Sequence, residues 1–400
     1  MPRQSLRGWL SSDLGNPPAA ASHYGSMSRE RIASLDVVRG VVMILMAIDH
    51  VRVYAGVPAG GQAPGVFFTR WITHFVAPAF VFLAGTAAYL HGRRLPSRGA
   101  LSRFLLTRGL WLLVLELTVI RVSWTFNFDF RHYMLAGVIW VIGWSMIVLA
   151  AAVHLPRSAV AAIGIATIAL HNATDFFRDA MPADPNPLLK ILYMGGGIGP
   201  LFILYVLIPW AGVMMAGYAF GAVMERPPDA RRRFALRLGA ALTLLFVVLR
   251  ALDVYGDPRH WRDAPSLLRF LNTTKYPASL LFLLMTLGPM FLLLAAAEKW
   301  RGRAAGILTT FGRVPMFYYL LHIPLIHAAA CIVSIVREGR VDSWLFGNHP
   351  VDPPPLPPGY MWSLPLLYLV FALCVIALYF PCRWYAGVRA KSGSKWLSYL

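Results

Sequence analysis

One apolar stretch, residues 32–56, carries side chains that could do acid–base chemistry. It is long enough to span a bilayer, for which about 20 residues suffice. It nevertheless contains five ionisable residues: Asp36, Arg39, Asp49, His50 and Arg52. Because ionisable groups at membrane depth are costly, they usually mark a functional site. The sequence therefore predicts a functional site inside a membrane helix.

Arg39 and His50 are eleven residues apart. At about 100° per residue this spacing is within about 20° of three full turns, so both side chains lie on one helix face, separated by about 16 Å along the axis. Arg39 could bind phosphate or carboxylate groups near one surface. His50 could act as a general base, since a neutral imidazole accepts a proton near neutral pH. The alternative is an interhelical polar contact that only stabilises packing.

The two aspartates of this stretch are candidate partners of its cations. Asp36 and Arg39 are neighbours on a helix, so Asp36 could orient Arg39 or contact a ligand itself. Asp49 does not face His50, because adjacent residues point in different directions. We expect Asp49 to pair with Arg52 or with a cation on another helix. Asp49 could also orient His74 and raise the basicity of that imidazole, which makes His74 a second candidate base.

Several motifs resemble a known family of membrane enzymes. They are Ser-Leu-Asp-Val-Val-Arg-Gly at 34–40, Leu-Met-Ala-Ile-Asp-His at 45–50, Thr-His-Phe-Val-Ala-Pro at 73–78, Asn-Thr-Thr-Lys-Tyr-Pro at 272–277, Phe-Gly-Arg-Val-Pro at 311–315, Tyr-Leu-Leu-His at 319–322 and Leu-Ser-Tyr-Leu at 397–400. The chain thereby resembles the bacterial DUF1624 family. That family is similar to heparan-α-glucosaminide N-acetyltransferase, a transmembrane acyltransferase that uses acetyl-CoA. The Arg-X10-His spacing of Arg39 and His50 also matches the acyltransferase-3 family, whose His is taken as catalytic.

The resemblance implies transfer of an acyl group, expected to be acetyl, from cytoplasmic acyl-CoA to a hydroxyl or amino group of a carbohydrate or cell-envelope acceptor. Heparan-α-glucosaminide N-acetyltransferase, which is a lysosomal enzyme, places its catalytic His in the loop after the first helix. The corresponding loop here, residues 53–69, contains no His. The base is therefore His50 or His74, with Asp49 beside them. A transporter or permease without covalent chemistry is the alternative function, and a purely structural membrane protein is a third.

Further residues are candidates for binding the two substrates. Gly312 and Pro315 should break a helix beside Arg313, which could then bind CoA phosphates together with Arg39, while Asp36 orients Arg39 or contacts another part of the cofactor. Asn272, Lys275 and His322 are candidate acceptor contacts. Asn272 and Lys275 could instead anchor a helix end at the interface, and His322 and His327 could instead be structural.

No metal cofactor is expected. Two histidines, His50 and His74, are compatible with a metal site, but no third ligand follows at metal-binding spacing. The three cysteines are Cys331, Cys374 and Cys382, and their spacing indicates neither a metal site nor a disulfide framework. The resemblance implies acyl-CoA as the co-substrate, without a metal.

Composition places the chain in the membrane. Of its 400 residues, 58% are hydrophobic and only 14% charged, whereas soluble domains have about 25% charged residues. The formal net charge of +19 could suggest nucleic-acid binding. We reject that interpretation because the Arg residues lie in short loops between apolar spans, as insertion topology requires.

The hydropathy pattern predicts an all-α, polytopic integral membrane helical bundle of about ten transmembrane helices. The predicted spans are 34–56, 70–91, 102–123, 133–154, 158–174, 200–224, 235–253, 277–298, 305–336 and 362–382. The ninth is too long for a straight span and should kink or break at Pro315 or Pro324.

Orientation follows from the distribution of Lys and Arg. With the N-terminus inside, 21 of the 37 Lys and Arg residues lie in inside segments and 12 in outside segments. This bias favours cytoplasmic termini in a plasma membrane, which the family resemblance suggests is a bacterial inner membrane. Residues 1–30 are polar and should form a disordered cytoplasmic tail before a transmembrane domain at 31–400. Arg39 and Arg313 then lie toward the cytoplasm, and His50 and His74 toward the outer face.

Overall fold

A computed structural model describes residues 31–392 apart from 62, 181, 183, 264 and 352. Within these described residues, the chain from Ala33 onward forms one compact unit. The predicted tail at 1–30 and the motif at 397–400 lie outside the described residues.

Helices make up most of this part of the chain. The α-helices are α1 (Ala33–Tyr54), α2 (Pro64–Trp71), α3 (Val76–Gly92), α4 (Arg98–Leu115), α5 (Arg121–Thr125), α6 (Val138–Ala152), α7 (Arg157–Leu170), α8 (Pro187–Leu189), α9 (Leu207–Phe220), α10 (Pro228–Leu252), α11 (Leu267–Leu271), α12 (Leu280–Ala297), α13 (Arg303–Arg313), α14 (Pro315–Glu338) and α15 (Leu364–Lys391). A 3-10 turn at Ile72–Phe75 joins α2 to α3, and a π-helical turn at Glu116–Ile120 joins α4 to α5.

Every predicted span overlaps one of these helices or a pair of them, but the spans 133–154 and 200–224 each begin with a three-residue strand that was not predicted. Among the described residues, seven helices are long and apolar enough to cross a membrane: Pro64–Gly92, Arg157–Phe177, Leu207–Glu225, Pro228–Leu252, Leu280–Ala297, Pro315–Glu338 and Leu364–Lys391. The other predicted spans correspond to α1 and α4, which carry several charged residues, and to α6, which has 15 residues. The prediction of an all-α polytopic membrane bundle is confirmed.

A small sheet was not predicted. Its strands are β1 (Met134–Ala136), β2 (Gly196–Ile198) and β3 (Leu201–Ile203). The order is β1-β3-β2, with β1 parallel and β2 antiparallel to β3. Three-residue strands are too short to produce a recognisable alternation of apolar and polar residues. The sheet ties the chain before α6 to the chain before α9.

The predicted break in the ninth span is confirmed. Helix α13 ends at Arg313 and α14 begins at Pro315, with Val314 between them at φ −129° and ψ 51°. Pro315 lies in the first turn of α14, where its missing N–H costs nothing. Pro324, in contrast, lies inside α14 without ending it.

Helices α1 and α13 approach each other so closely that their backbones touch. A Cβ atom added at Gly40 would collide with the backbone of Leu308, and one added at Gly312 would collide with the backbone of Asp36. Only glycine permits this approach, because any side chain would push the helices apart. The contact holds the end of α13, including Arg313, beside the start of α1.

Polar contacts join the loops at each of the two ends of the helical bundle. At one end, Arg231 donates two hydrogen bonds to the Glu298 carboxylate, with nitrogen–oxygen distances of 2.9 and 3.0 Å. The Ser34 hydroxyl donates a third to the same carboxylate, with an oxygen–oxygen distance of 2.7 Å. At the other end, the Tyr360 hydroxyl donates to the Tyr54 carbonyl at 3.1 Å. Loops assigned to the same side by the sequence therefore lie together. His50, four residues before Tyr54, lies toward the second end.

Candidate active site

The histidine of α1 contacts a histidine of α14. His50 Nδ1 lies 2.6 Å from His322 Nε2, and the two rings stack with centroids 4.7 Å apart. The Trp124 ring packs edge-on against His50 at 4.9 Å. His322 is fully buried, whereas His50 is partly exposed. His50 thus has a second imidazole as its partner, which the sequence analysis did not predict.

Next to His50, the Asp49 carboxylate binds two arginines at once. Asp49 Oδ1 accepts a hydrogen bond from Arg52 Nε at 2.9 Å, and Oδ2 accepts one from Arg70 Nη1 at 3.0 Å. The expectation that Asp49 pairs with Arg52 or with a cation on another helix is confirmed for both kinds of partner. Arg70 was not a candidate, although its position at the start of a predicted span was a usable signal. All three side chains are largely buried.

The second candidate base has a different environment. His74 Nδ1 lies 3.2 Å from the Trp71 carbonyl oxygen, and its ring meets the Phe282 ring edge-on at 5.6 Å. In the part of the chain that the structure describes, Asp49 makes no hydrogen bond to His74. His74 therefore binds a backbone carbonyl of its own segment, and its role as a base stays a prediction.

The two candidate acceptor residues on the 272–279 segment differ in burial. Asn272 is exposed, whereas Lys275 is buried, with its ammonium group 5.2 Å from the Tyr276 ring centroid and 5.9 Å from that of Tyr205. Burial, followed by the neighbouring Arg70 charge, lowers the pKa of Lys275. A cation over aromatic faces is partly compensated, but its charge is not neutralised.

Positive charge exceeds negative charge at this end of the site. Lys275 lies within electrostatic range of both Asp49 and Arg70. Asp49 is the carboxylate that faces Arg52, Arg70 and Lys275 in the described residues, so the formal charges of these four groups leave two positive charges in excess. Because uncompensated charge is costly to bury, the cluster of Asp49, Arg52, Arg70 and Lys275 is suited to a ligand with negative charge.

A carboxylate from the preceding loop holds the segment that carries Lys275. Asp257 Oδ2 accepts hydrogen bonds from the Thr274 N–H and the Ser279 hydroxyl, both at 2.7 Å. Asp257 Oδ1 accepts from the Thr274 hydroxyl and from the Arg259 N–H, both at 2.9 Å. The sequence analysis did not single out Asp257, since its partners are backbone and hydroxyl groups that leave no charge pattern. These bonds anchor the 272–279 segment.

The candidate donor-binding residues lie at the opposite end of α1. The predicted ion pair is present, with Arg39 Nη1 3.4 Å from Asp36 Oδ1. Arg39 Nη2 also lies 3.5 Å from the Leu83 carbonyl oxygen on α3. Arg39 therefore contacts α3, whereas His50 contacts α14. The face of α1 that was predicted to carry both residues thus packs against different helices at its two ends. Arg313 is exposed at the end of α13.

The described residues contain no cluster of side chains typical of a metal-binding site. No group of three or more His, Cys, Asp or Glu side chains is placed there to hold a metal ion. The three cysteines are free thiols. The titratable groups of the described site are imidazole, carboxylate, guanidinium and ammonium groups.

The family model described as "Heparan-alpha-glucosaminide N-acetyltransferase, catalytic" matches residues 31–255. The chain belongs to this family. The matched residues include His50, Asp49, Arg70 and His74 but end before Lys275 and His322, so part of the site lies outside the match. Membership in the heparan-α-glucosaminide N-acetyltransferase family, together with the apolar helices, makes this chain a membrane acetyltransferase. No curated protein matches the chain.

Proposed function

We propose that this family member transfers an acetyl group from acyl-CoA to an amino or hydroxyl group of a carbohydrate or cell-envelope acceptor, with His50 as the general base. The observation on which the proposal rests is the hydrogen bonding of the two ring nitrogens of His50. One of its ring nitrogens is bound by His322, and the other makes no hydrogen bond to the described residues. A part-buried imidazole with one nitrogen available is the group that a general base requires.

The donor binds from the cytoplasmic end in this proposal. CoA carries phosphate groups, and charge-assisted hydrogen bonds to guanidinium groups suit them. Arg39, oriented by Asp36, and the exposed Arg313 lie at this end of α1. The orientation with cytoplasmic termini, in a bacterial inner membrane, supports the same arrangement because CoA is made in the cytoplasm.

The acceptor enters from the other end and carries a negatively charged group. The support for this step is the excess positive charge of Arg52, Arg70 and Lys275 over Asp49. An anionic group beside these cations would remove the cost of the uncompensated charge. It would also bring a neighbouring amino or hydroxyl group of the same acceptor toward His50.

The reaction is a direct acyl transfer. His50 accepts the proton as the acceptor nitrogen or oxygen attacks the thioester carbonyl and forms the new bond to carbon. The carbon–sulfur bond then breaks, and the CoA thiolate leaves with the electron pair of that bond. The His50 imidazolium returns the proton to the thiolate, so the base is regenerated and the products are the acetylated acceptor and CoA.

The test is acetyl transfer by the purified protein in proteoliposomes, with labelled acetyl-CoA inside and an amino sugar or an acidic amino sugar outside. His50→Ala should lower kcat about 10²- to 10⁴-fold, the usual contribution of a general base. His50→Gln should be as poor, because an amide forms hydrogen bonds but cannot accept the proton. Acetyl-CoA affinity should stay near the wild-type value in both variants.

His74→Ala is the comparison variant and should lose less activity than His50→Ala. Full turnover in His50→Ala would rule out His50 as the base. Absence of acetyl transfer from the wild type to every acceptor, combined with solute flux across the vesicle membrane, would make the protein a transporter instead.

A further inference from the structure

The hydrogen-bond contacts of His322 determine which of its two ring nitrogens carries the hydrogen. Its Nδ1 atom lies 2.6 Å from the Tyr319 carbonyl oxygen and 3.2 Å from the Tyr318 carbonyl oxygen. A carbonyl oxygen can only accept a hydrogen bond. His322 Nδ1 therefore carries a hydrogen and donates it to the backbone of its own helix.

The tautomer of His322 determines the tautomer of His50. In the described part of the chain no carboxylate contacts His322, so the fully buried ring has no anion to balance an imidazolium. A neutral imidazole with a hydrogen on Nδ1 has a lone pair on Nε2. His322 Nε2 then accepts, at 2.6 Å, the hydrogen carried by His50 Nδ1. The lone pair of neutral His50 is consequently on Nε2.

We propose that His322 is a positioning residue, which holds His50 in the tautomer whose Nε2 atom accepts the proton from the acceptor. This inference rests on the proposed role of His50 as the base. When Nε2 takes the proton, His50 becomes an imidazolium that still donates Nδ1–H to His322 Nε2. The hydrogen bond to the charged ring is then stronger than the bond to the neutral ring, so His322 also favours the protonated form.

The surroundings keep the His322 ring in place. The Tyr318 ring stacks on it with centroids 5.3 Å apart, and the Tyr319 ring lies 5.1 Å away. On the other side of the pair, the Trp124 ring packs against His50. A ring held in this way cannot turn to exchange its two nitrogens, so the direction of both hydrogen bonds is maintained.

The kinetic test uses His322→Leu and His322→Gln in the full chain, in both the wild-type and the His50→Ala background. His322→Leu should lower kcat about 10- to 150-fold, the value of a hydrogen bond to a charged group, with little change in either KM. His322→Gln should recover part of the loss, because its carbonyl can accept the His50 Nδ1–H. In the His50→Ala background neither substitution should lower kcat further, since His322 acts through His50.

His327→Leu is the matched control. His327 is also a buried histidine of α14, with a buried Nε2 that has no hydrogen-bond partner among the described residues, and its ring stacks on Phe126 and Tyr54 rather than on His50. Any loss caused by His327→Leu should be the same in both backgrounds. If His322→Leu also lowered kcat equally in both backgrounds, the effect would be structural and the proposal would be wrong.

A second measurement needs no activity. Nitrogen NMR of the protein labelled at histidine, with the His50 signals identified by their loss in His50→Ala, reports which nitrogen carries the hydrogen. We expect Nδ1 protonated and Nε2 unprotonated in the wild type, and a mixture of tautomers in His322→Leu. Protonated Nε2 in neutral wild-type His50 would overturn the inference. The expected tautomer without any acetyl transfer would overturn the proposed function and leave the tautomer assignment standing.

Discussion

Replacing Asp257 by Asn should release the segment that presents Lys275. The Asp257 carboxylate accepts four hydrogen bonds, and each of its oxygens faces one backbone N–H: Arg259 N–H at Oδ1 and Thr274 N–H at Oδ2. An Asn side chain has one oxygen and one NH₂ group. Whichever way the amide turns, its NH₂ group faces one of these backbone donors. At least one hydrogen bond to a charged acceptor is therefore lost, at a cost of about 1.5–3 kcal/mol.

That cost corresponds to a roughly 10- to 150-fold increase in local opening. Hydrogen–deuterium exchange of the 272–279 amides should accelerate by this factor in Asp257→Asn, and the KM for the acceptor should rise while that for acetyl-CoA is unchanged. Asp263→Asn is the control, because Asp263 is exposed in the same connection between α10 and α11. Unchanged exchange at 272–279 would refute the anchoring role. An equal rise in both KM values would show a general loosening of the bundle instead.

Two further predictions concern the donor side and the orientation. Arg39→Gln should weaken acyl-CoA binding about 10- to 150-fold, measured by calorimetry in detergent, since it removes a charge-assisted contact; unchanged affinity both there and in Arg313→Gln would reject this donor site. In a cysteine-free background, a cysteine at Glu338 should react with an impermeant thiol reagent in intact cells and one at Arg94 should not. The reverse labelling pattern would invert the orientation.

The sequence was sufficient to predict the helices because the membrane leaves few alternatives. A backbone in hydrocarbon must satisfy its own hydrogen bonds, so long apolar segments become helices. The break at Pro315 follows from the same rule, since proline has no N–H to donate. The Asp36–Arg39 and Asp49–Arg52 pairs were also accessible, because residues three apart on a helix are neighbours whatever surrounds them.

Burial within an irregular segment could not be predicted. Asn272 and Lys275 are three residues apart and were given the same role, yet Asn272 is exposed and Lys275 is buried against Tyr205 and Tyr276. The anchor of their segment, Asp257, binds it through backbone N–H and hydroxyl groups. Such contacts depend on where two loops meet, and a loop has no periodicity from which that position could be calculated.

The sequence by itself determined that this is a helical membrane protein with acid–base groups on its first span. Both properties arise within single segments, from apolar length and from residue spacing along one helix. Only the tertiary structure decided the tautomer that we propose for His50. That choice depends on His322, which is 272 residues away along the chain. A tautomer is set by hydrogen bonds through space, and the contact that favours this one exists because the packing of α14 against α1 brings the two rings together.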